Sequence, residues 1–218
     1  MKPIPASLLL VLAAIIWGVT FPLISSALPH ISPAAFVFWR FVLASIVLLP
    51  FVLKTLKQTR PWMLGGCLLL GLLNTGVFLF QTIGLKTVPA AQTAFITGTN
   101  VLIVPFLMPL FKLGRPHIKD IFLAILCLIG LYILTGANLA GLQIGDIWVL
   151  ACAMCFALSL IVVQALSRRN VPYPLLTFYQ IAFTLPFVAI GGPLAAPHVF
   201  LISDVWIALL FCAIFGTA

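Results

Sequence analysis

The sequence predicts an all-α membrane protein, a multi-helix bundle of two inverted five-helix repeats of which eight helices are present in 218 residues. Three observations carry that expectation. The chain is 64% hydrophobic and only 6% charged, whereas soluble domains carry roughly 25% charged residues. Apolar stretches close to the ~20 residues that cross a bilayer recur along its whole length. Stretches of similar sequence return at a spacing near 140 residues.

Eight spans follow, at roughly 8–28, 33–53, 63–85, 90–111, 118–135, 145–166, 174–191 and 203–218. The first begins after Lys2; its apolar run is too long for a secretory leader and no small-x-small site closes it, so it is read as a retained helix. "LPHISP" separates it from the second span, and "KTLKQTRP" separates the second from the third. "KTVP" precedes the fourth, where Pro105 and Pro109 remove backbone donors and should deform the inner end. "KLGRPHIK", "GANLAGLQ", "SRRNVPYP" and "GGPLAAPH" divide the remaining spans. Such proline, glycine and asparagine clusters are loop chemistry. Asp120, Asp146 and Asp204 each stand at a helix start, where a carboxylate suits free N–H groups and the helix dipole. The eighth span stops unfinished, which reads as a fragment or a cut chain.

Loop charges give an orientation. Lys2, the trio Lys54, Lys57 and Arg60, the trio Lys112, Arg115 and Lys119, and the pair Arg168 and Arg169 all fall on one side. The alternate loops hold only Lys86. Positive residues favour the cytoplasmic side, so the chain is expected in the cell (inner) membrane with a cytoplasmic N-terminus. The net charge of +8 is thus a topology signal; basic residues scattered over short loops argue against a nucleic-acid partner. The five cysteines all lie within spans, which argues against a disulfide framework, and "CAMC" at 152–155 reads as packing.

"VLAAIIWGVTF" near the front is matched by "VLACAMCFALSL" from residue 149, and "LLPFV" by "TLPFV". "GLLNTG" at 71–76 returns loosely as "AIFGTA" at 213–218. One copy takes five helices, and an odd number makes the second copy enter the membrane from the opposite side. The repeats are placed at 1–138 and 139–218, the second incomplete. Inverted repeats are a common construction of secondary transporters, with substrate near the midplane between halves.

Together, "IIWGVTFPL", "FWRFVLAS", "FQTIGLKTVPAAQTAFITGTNVLIVPFL", "GDIWVLACAMCFAL" and "AIFGTA" resemble the EamA-type branch of the drug/metabolite transporter superfamily over the whole chain. The resemblance implies a ten-helix carrier with both ends cytoplasmic, exporting amino acids, other metabolites or toxic compounds. This chain departs from it by lacking the last two helices.

Polar residues in a span are expensive and usually face the bundle interior or water. Asn74, Thr75, Gln81 and Thr82 share a face of the third span with Gly71 and Phe78. Thr93, Thr97 and Asn100 form a stripe on the fourth, Thr177, Gln180 and Thr184 on the seventh, and Trp17, Thr20 and Phe21 on the first. Substrate-lining candidates are therefore Arg40, Trp17, Thr20, Asn74, Phe78, Gln81, Thr97, Asn100 and Gln180. The competing reading is helix–helix glue, favoured for the hydroxyl groups and glycines. Pro22, Pro105, Pro109 and Pro186 are candidate hinges, or static kinks. Arg40 lies roughly 9 Å below the outer face at 1.5 Å per residue. It could snorkel outward, or point inward onto a substrate anion, backbone carbonyls or an acid beyond this chain.

No span carries a histidine or a central acid, and no metal-ligand or nucleophile motif is present. An enzyme, a metal site or a cofactor is not expected. The reading is a secondary transporter, an exporter by alternating access, acting on small metabolites, amino acids or drugs. Its partners are a small-molecule substrate and the lipid bilayer, with a homodimer left open. The rival reading is a non-transporting accessory or structural membrane subunit.

Overall fold

The computed structural model describes residues 6–114, 116–135, 143–190 and 202–217. The expectations for Lys2, Arg115, His198, the loop 136–142 and the repeat boundary at 138/139 lie outside the described residues. Every described regular element is helical. The chain runs α1 (Ala6–Ala27), α2 (Pro33–Val52), a 3₁₀ turn (Leu56–Gln58), α3 (Pro61–Gly84), α4 (Ala90–Gly98), α5 (Asn100–Leu107), α6 (Ile118–Thr135), α7 (Ile144–Ser167), α8 (Tyr173–Ile190) and α9 (Ser203–Ile214). Six spans, with α4 and α5 taken together, are long and apolar enough to cross a membrane.

Local chemistry sets several helix ends. Ser32 caps α2: its Oγ accepts the Ala35 N–H at 3.3 Å, and Pro33 follows at the first helical position. Asp146 is fully buried; its carboxylate accepts the Gln143 N–H at 2.7 Å and the Gln92 side-chain amide at 2.8 Å. That carboxylate closes the start of α7 and ties it to α4.

The fourth span departs from the expected single helix. It breaks at Thr99, well before Pro105 and Pro109. Three neighbouring residues explain the position. Gly98 has low helix propensity. The Thr99 hydroxyl donates to the Ile96 carbonyl at 2.6 Å, and the Asn100 amide donates to the Thr97 carbonyl at 2.7 Å. Side chains thus take acceptors that the backbone ladder would otherwise use. Pro22, Pro105 and Pro186 sit inside α1, α5 and α8, as does Pro50 inside α2, while Pro109 lies in the turn beyond α5.

Bundle packing follows membrane rules. Lipid-side faces are apolar and exposed, as with Leu10 on α1 and Phe122 and Ile133 on α6. Lipid tails give helices no hydrophobic reason to associate, so close approach and cross-helix bonds must hold them. The glycines of α3 supply the approach. A Cβ on Gly71 would lie 2.5 Å from the Phe183 Cβ and 2.8 Å from the Phe183 carbonyl carbon, so α3 touches the backbone of α8. Near the opposite end, Gly84 packs on Val149 and on the Gly145 carbonyl of α7. A central core forms around Phe41, Val77, Phe78, Cys152 and Ile181. A second core, around Val52, Met63, Leu166 and Leu175, closes the end that carries the basic loops.

That geometry predicts unequal glycine substitutions. Gly71→Ala forces α8 to shift, because the obstructing atoms are backbone, and should cost about 1–3 kcal/mol. Gly65→Ala on the same helix meets nothing within 4 Å and should be neutral, or stabilising by about 0.5–1 kcal/mol. Unfolding midpoints of the purified variants in detergent test this; equal midpoints would refute the backbone contact.

Candidate functional site

α1, α2 and α3 meet α7, α8 and the segment after α9 around a cavity of about 190 Å³. Its walls come from five of the long helices: Trp17 from α1, Phe41 from α2, Asn74 and Phe78 from α3, Phe156 and Ser159 from α7, and Thr177 and Gln180 from α8. Gly216 and Thr217 close it. The walls are largely apolar and aromatic, with a few amide and hydroxyl groups. Trp17 meets Phe156 edge-on at 5.1 Å, and Phe41 meets Phe78 edge-on at 5.0 Å, arrangements that favour rigid rings.

The amides are held by one network. The Gln180 side-chain amide donates to the Asn74 Oδ1 at 2.9 Å, and the Asn74 Nδ2 donates to the Thr184 Oγ1 at 3.1 Å. Thr184 in turn donates to the Gln180 carbonyl at 2.8 Å or the Gly71 carbonyl at 3.2 Å. Asn74 therefore both lines the cavity and joins α3 to α8. Thr75 and Thr82 donate to carbonyls one turn back on α3, at 2.8 and 2.6 Å. Thr20 does the same to Trp17 at 2.6 Å. For these hydroxyls the structural role is the observed one.

Arg40 is 1% exposed and does not snorkel. Its Nε donates to the Thr217 Oγ1 at 2.6 Å and its Nη2 to the Gly216 carbonyl at 3.0 Å. The guanidinium lies over the Phe78 ring, 4.4 Å from the centroid, within cation–π range. Among the described residues no carboxylate faces it. The charge is accommodated by a carbonyl, a hydroxyl and a ring face, and it fixes two residues that close the cavity.

Two sequence alignments meet at this point. "FWRF" at 38–41 matches "FYQI" at 178–181, which pairs Arg40 with Gln180. "GLLNTG" against "AIFGTA" pairs Asn74 with Gly216. The contact of Arg40 with Gly216 thus has a counterpart in the contact of Gln180 with Asn74: one joins α2 to the end of α9, the other α8 to α3.

Of the nine predicted residues, Trp17, Asn74, Phe78 and Gln180 line the cavity. Arg40 and Thr20 stand directly behind Gly216 and Thr217. Gln81 and Thr97 are buried elsewhere. Asn100 borders a separate groove with Val104, Asp120 and Leu160, on the side where α5 packs on α6 and α7. Phe41, Phe156 and Ser159 were not singled out from sequence. Phe156 and Ser159 stand in "VLACAMCFALSL", the stretch that repeats the surroundings of Trp17, and that correspondence was the available signal. Among the described residues no group of histidine, cysteine or acidic side chains could hold a metal ion.

Comparison with known proteins agrees with this architecture. The model of the EamA-like transporter family matches residues 4–136. An uncharacterized transporter of Archaeoglobus fulgidus is 34% identical over 179 residues, covering 82% of this chain and 55% of that protein. The chain thus spans about half the length of that relative. A solved crystal structure shares the fold with a TM-score of 0.70, over 94% of this chain and 72% of its own, at 21% identity. A multi-helix bundle with lipid-exposed apolar faces, a matching family model over most of its length and a relative at this identity lead to one conclusion: the chain belongs to the EamA-like transporter family.

Proposed function

We propose that the protein is a secondary transporter that exports small amphipathic metabolites, amino acids or drugs across the cell membrane by alternating access. The supporting observation is the cavity lined at once by α1–α3 and by α7, α8 and the segment after α9, with matched polar contacts on its two sides. On this reading the two groups of helices are inverted halves, and substrate binds where they face each other. Aromatic rings take the apolar part of the solute, and Asn74, Ser159, Thr177 and Gln180 take its polar groups. The amides of Asn74 and Gln180 satisfy each other in the empty cavity and exchange that bond for the solute. Binding then loosens α3 from α8, which couples occupancy to helix movement. Arg40 acts through Gly216 and Thr217 as a positioning residue.

Transport assays in cells expressing the protein test this reading. Asn74→Ala removes the amide that bonds the solute in that exchange, a contact worth about 0.5–1.5 kcal/mol. It should raise the half-saturation concentration roughly 2- to 10-fold at matched membrane abundance. An unchanged value would take Asn74 out of the binding site.

Arg40→Lys keeps the charge but cannot place one donor on Thr217 and another on Gly216 while stacking on Phe78. Transport should fall at least about fivefold, and Arg40→Gln should be worse. Wild-type transport by the lysine variant would show that only the charge matters.

Orientation is tested separately. The loops at Lys54–Arg60 and Arg168–Asn170 are proposed to be cytoplasmic. A cysteine replacing His30 should react with an impermeant thiol reagent added outside intact cells, and one replacing Arg169 should not. The opposite labelling pattern would invert the topology.

A further inference from the structure

The end of the bundle that carries the basic loops holds a second cavity, independent of the central one. It is a cleft of about 650 Å³ between the segment joining α2 to α3 and the segment joining α7 to α8. Met63 and Val171, part of the core beneath it, bring the two segments together. The Thr59 hydroxyl, 2.9 Å from the Tyr179 hydroxyl, fixes the 3₁₀ turn against α8. The cleft is therefore built on packed helices.

Lys57, Arg60 and Arg169 line this cleft, and no carboxylate does. Among the described residues none of the three side chains donates a hydrogen bond to the protein. They differ in this from the adjacent Arg168, which donates to the Leu113 carbonyl at 2.9 Å. Arg169 lies over the Trp62 ring at 5.9 Å, which holds its planar group near the cleft. α3 also starts here, at Pro61, with no side-chain cap, so its positive dipole end adds to the field. Three unspent cations around a concave polar space select an oxyanion that makes several charge-assisted bonds, as a phosphate group does.

The rim indicates which phosphate. Trp62, which lines the cleft, is 45% exposed, and Tyr173, which follows the lining residue Pro172 at the start of α8, is 66% exposed. Trp and Tyr at a helix end mark the level of lipid headgroups. A soluble phosphate has no use for this apolar border, whereas a phospholipid places its headgroup in the cleft and its acyl chains along the border. We infer that the cleft of Lys57, Arg60, Arg169 and Trp62 binds the headgroup of an anionic phospholipid of the phosphatidylglycerol class. Basic pockets at helix ends on one membrane face suit such headgroups.

The test titrates the purified protein in detergent with phosphatidylglycerol or phosphatidylcholine carrying brominated chains and follows quenching of tryptophan fluorescence. Phosphatidylglycerol should quench at a much lower mole fraction than phosphatidylcholine, and Trp62→Phe should abolish that early component. A cation near an anionic headgroup contributes about a fivefold factor, so Arg60→Gln with Arg169→Gln should shift the midpoint roughly 25-fold. Lys112→Gln with Lys119→Gln, outside the cleft at the same end, should leave it in place. Equal midpoints for the two lipids, or equal shifts for the two double variants, would overturn the proposal. Displacement of the lipid by an equimolar amount of inorganic phosphate at matched ionic strength would assign the cleft to a soluble phosphate instead. Should the Arg60/Arg169 variant fail to fold, the two-lipid comparison at Trp62 in the wild-type protein decides alone.

Discussion

The backbone contact between α3 and α8 at Gly71 is the constraint from which the central site follows. Only a residue without a Cβ lets the Phe183 backbone approach so closely. That approach brings Thr184 within reach of the Gly71 carbonyl and sets Asn74 opposite Gln180. In lipid, where burial of apolar surface gives no net drive between helices, this short-range packing and its amide bonds must supply the cohesion. The amide bonds that give this cohesion therefore lie in the wall of the cavity. A helix pair held by leucines would be just as close to lipid in character, but it would offer a polar solute nothing.

Arg40 shows how a fixed charge is kept inside such a bundle. A central arginine costs about 2.5–3.5 kcal/mol on insertion scales, and a guanidinium cannot shed its proton to escape that cost. Here a carbonyl, a hydroxyl and the face of Phe78 share it. These are dipoles and a quadrupole, so the site keeps a net positive charge and a positive potential beside the cavity. Gln180, which aligns with it in sequence, meets Asn74 without charge. The two sides of the cavity are alike in geometry and unlike in electrostatics.

The bundle was legible in the sequence because membrane spans announce themselves by length and apolarity, and their boundaries by proline, glycine and charge. The span expected at 118–135 coincides with α6, and most others differ by one or two residues. The break at Thr99 was not legible, because it depends on hydroxyl and amide side chains choosing local carbonyls, whereas the prolines nearby are the stronger helix breakers by composition. The site was half legible. Asn74, Phe78 and Gln180 followed from helical spacing and the cost of burying amides. Gln81 and Asn100 satisfy the same rules but face other neighbours, since spacing identifies a face and only packing decides what that face meets. Phe41 and Phe156 look like any core aromatic until the cavity is seen beside them.

The interruption at Thr99 gives the fourth span a property that a continuous helix lacks. α4 packs on α1, α3, α6 and α7, whereas α5 packs mainly on α6 and α7. A continuous helix that bends must bare a carbonyl to hydrocarbon, at a cost of several kcal/mol. Here the carbonyls at the joint already have side-chain donors that travel with them. The span thus carries a joint at which no carbonyl has to be bared, and it is the half before that joint that reaches α1.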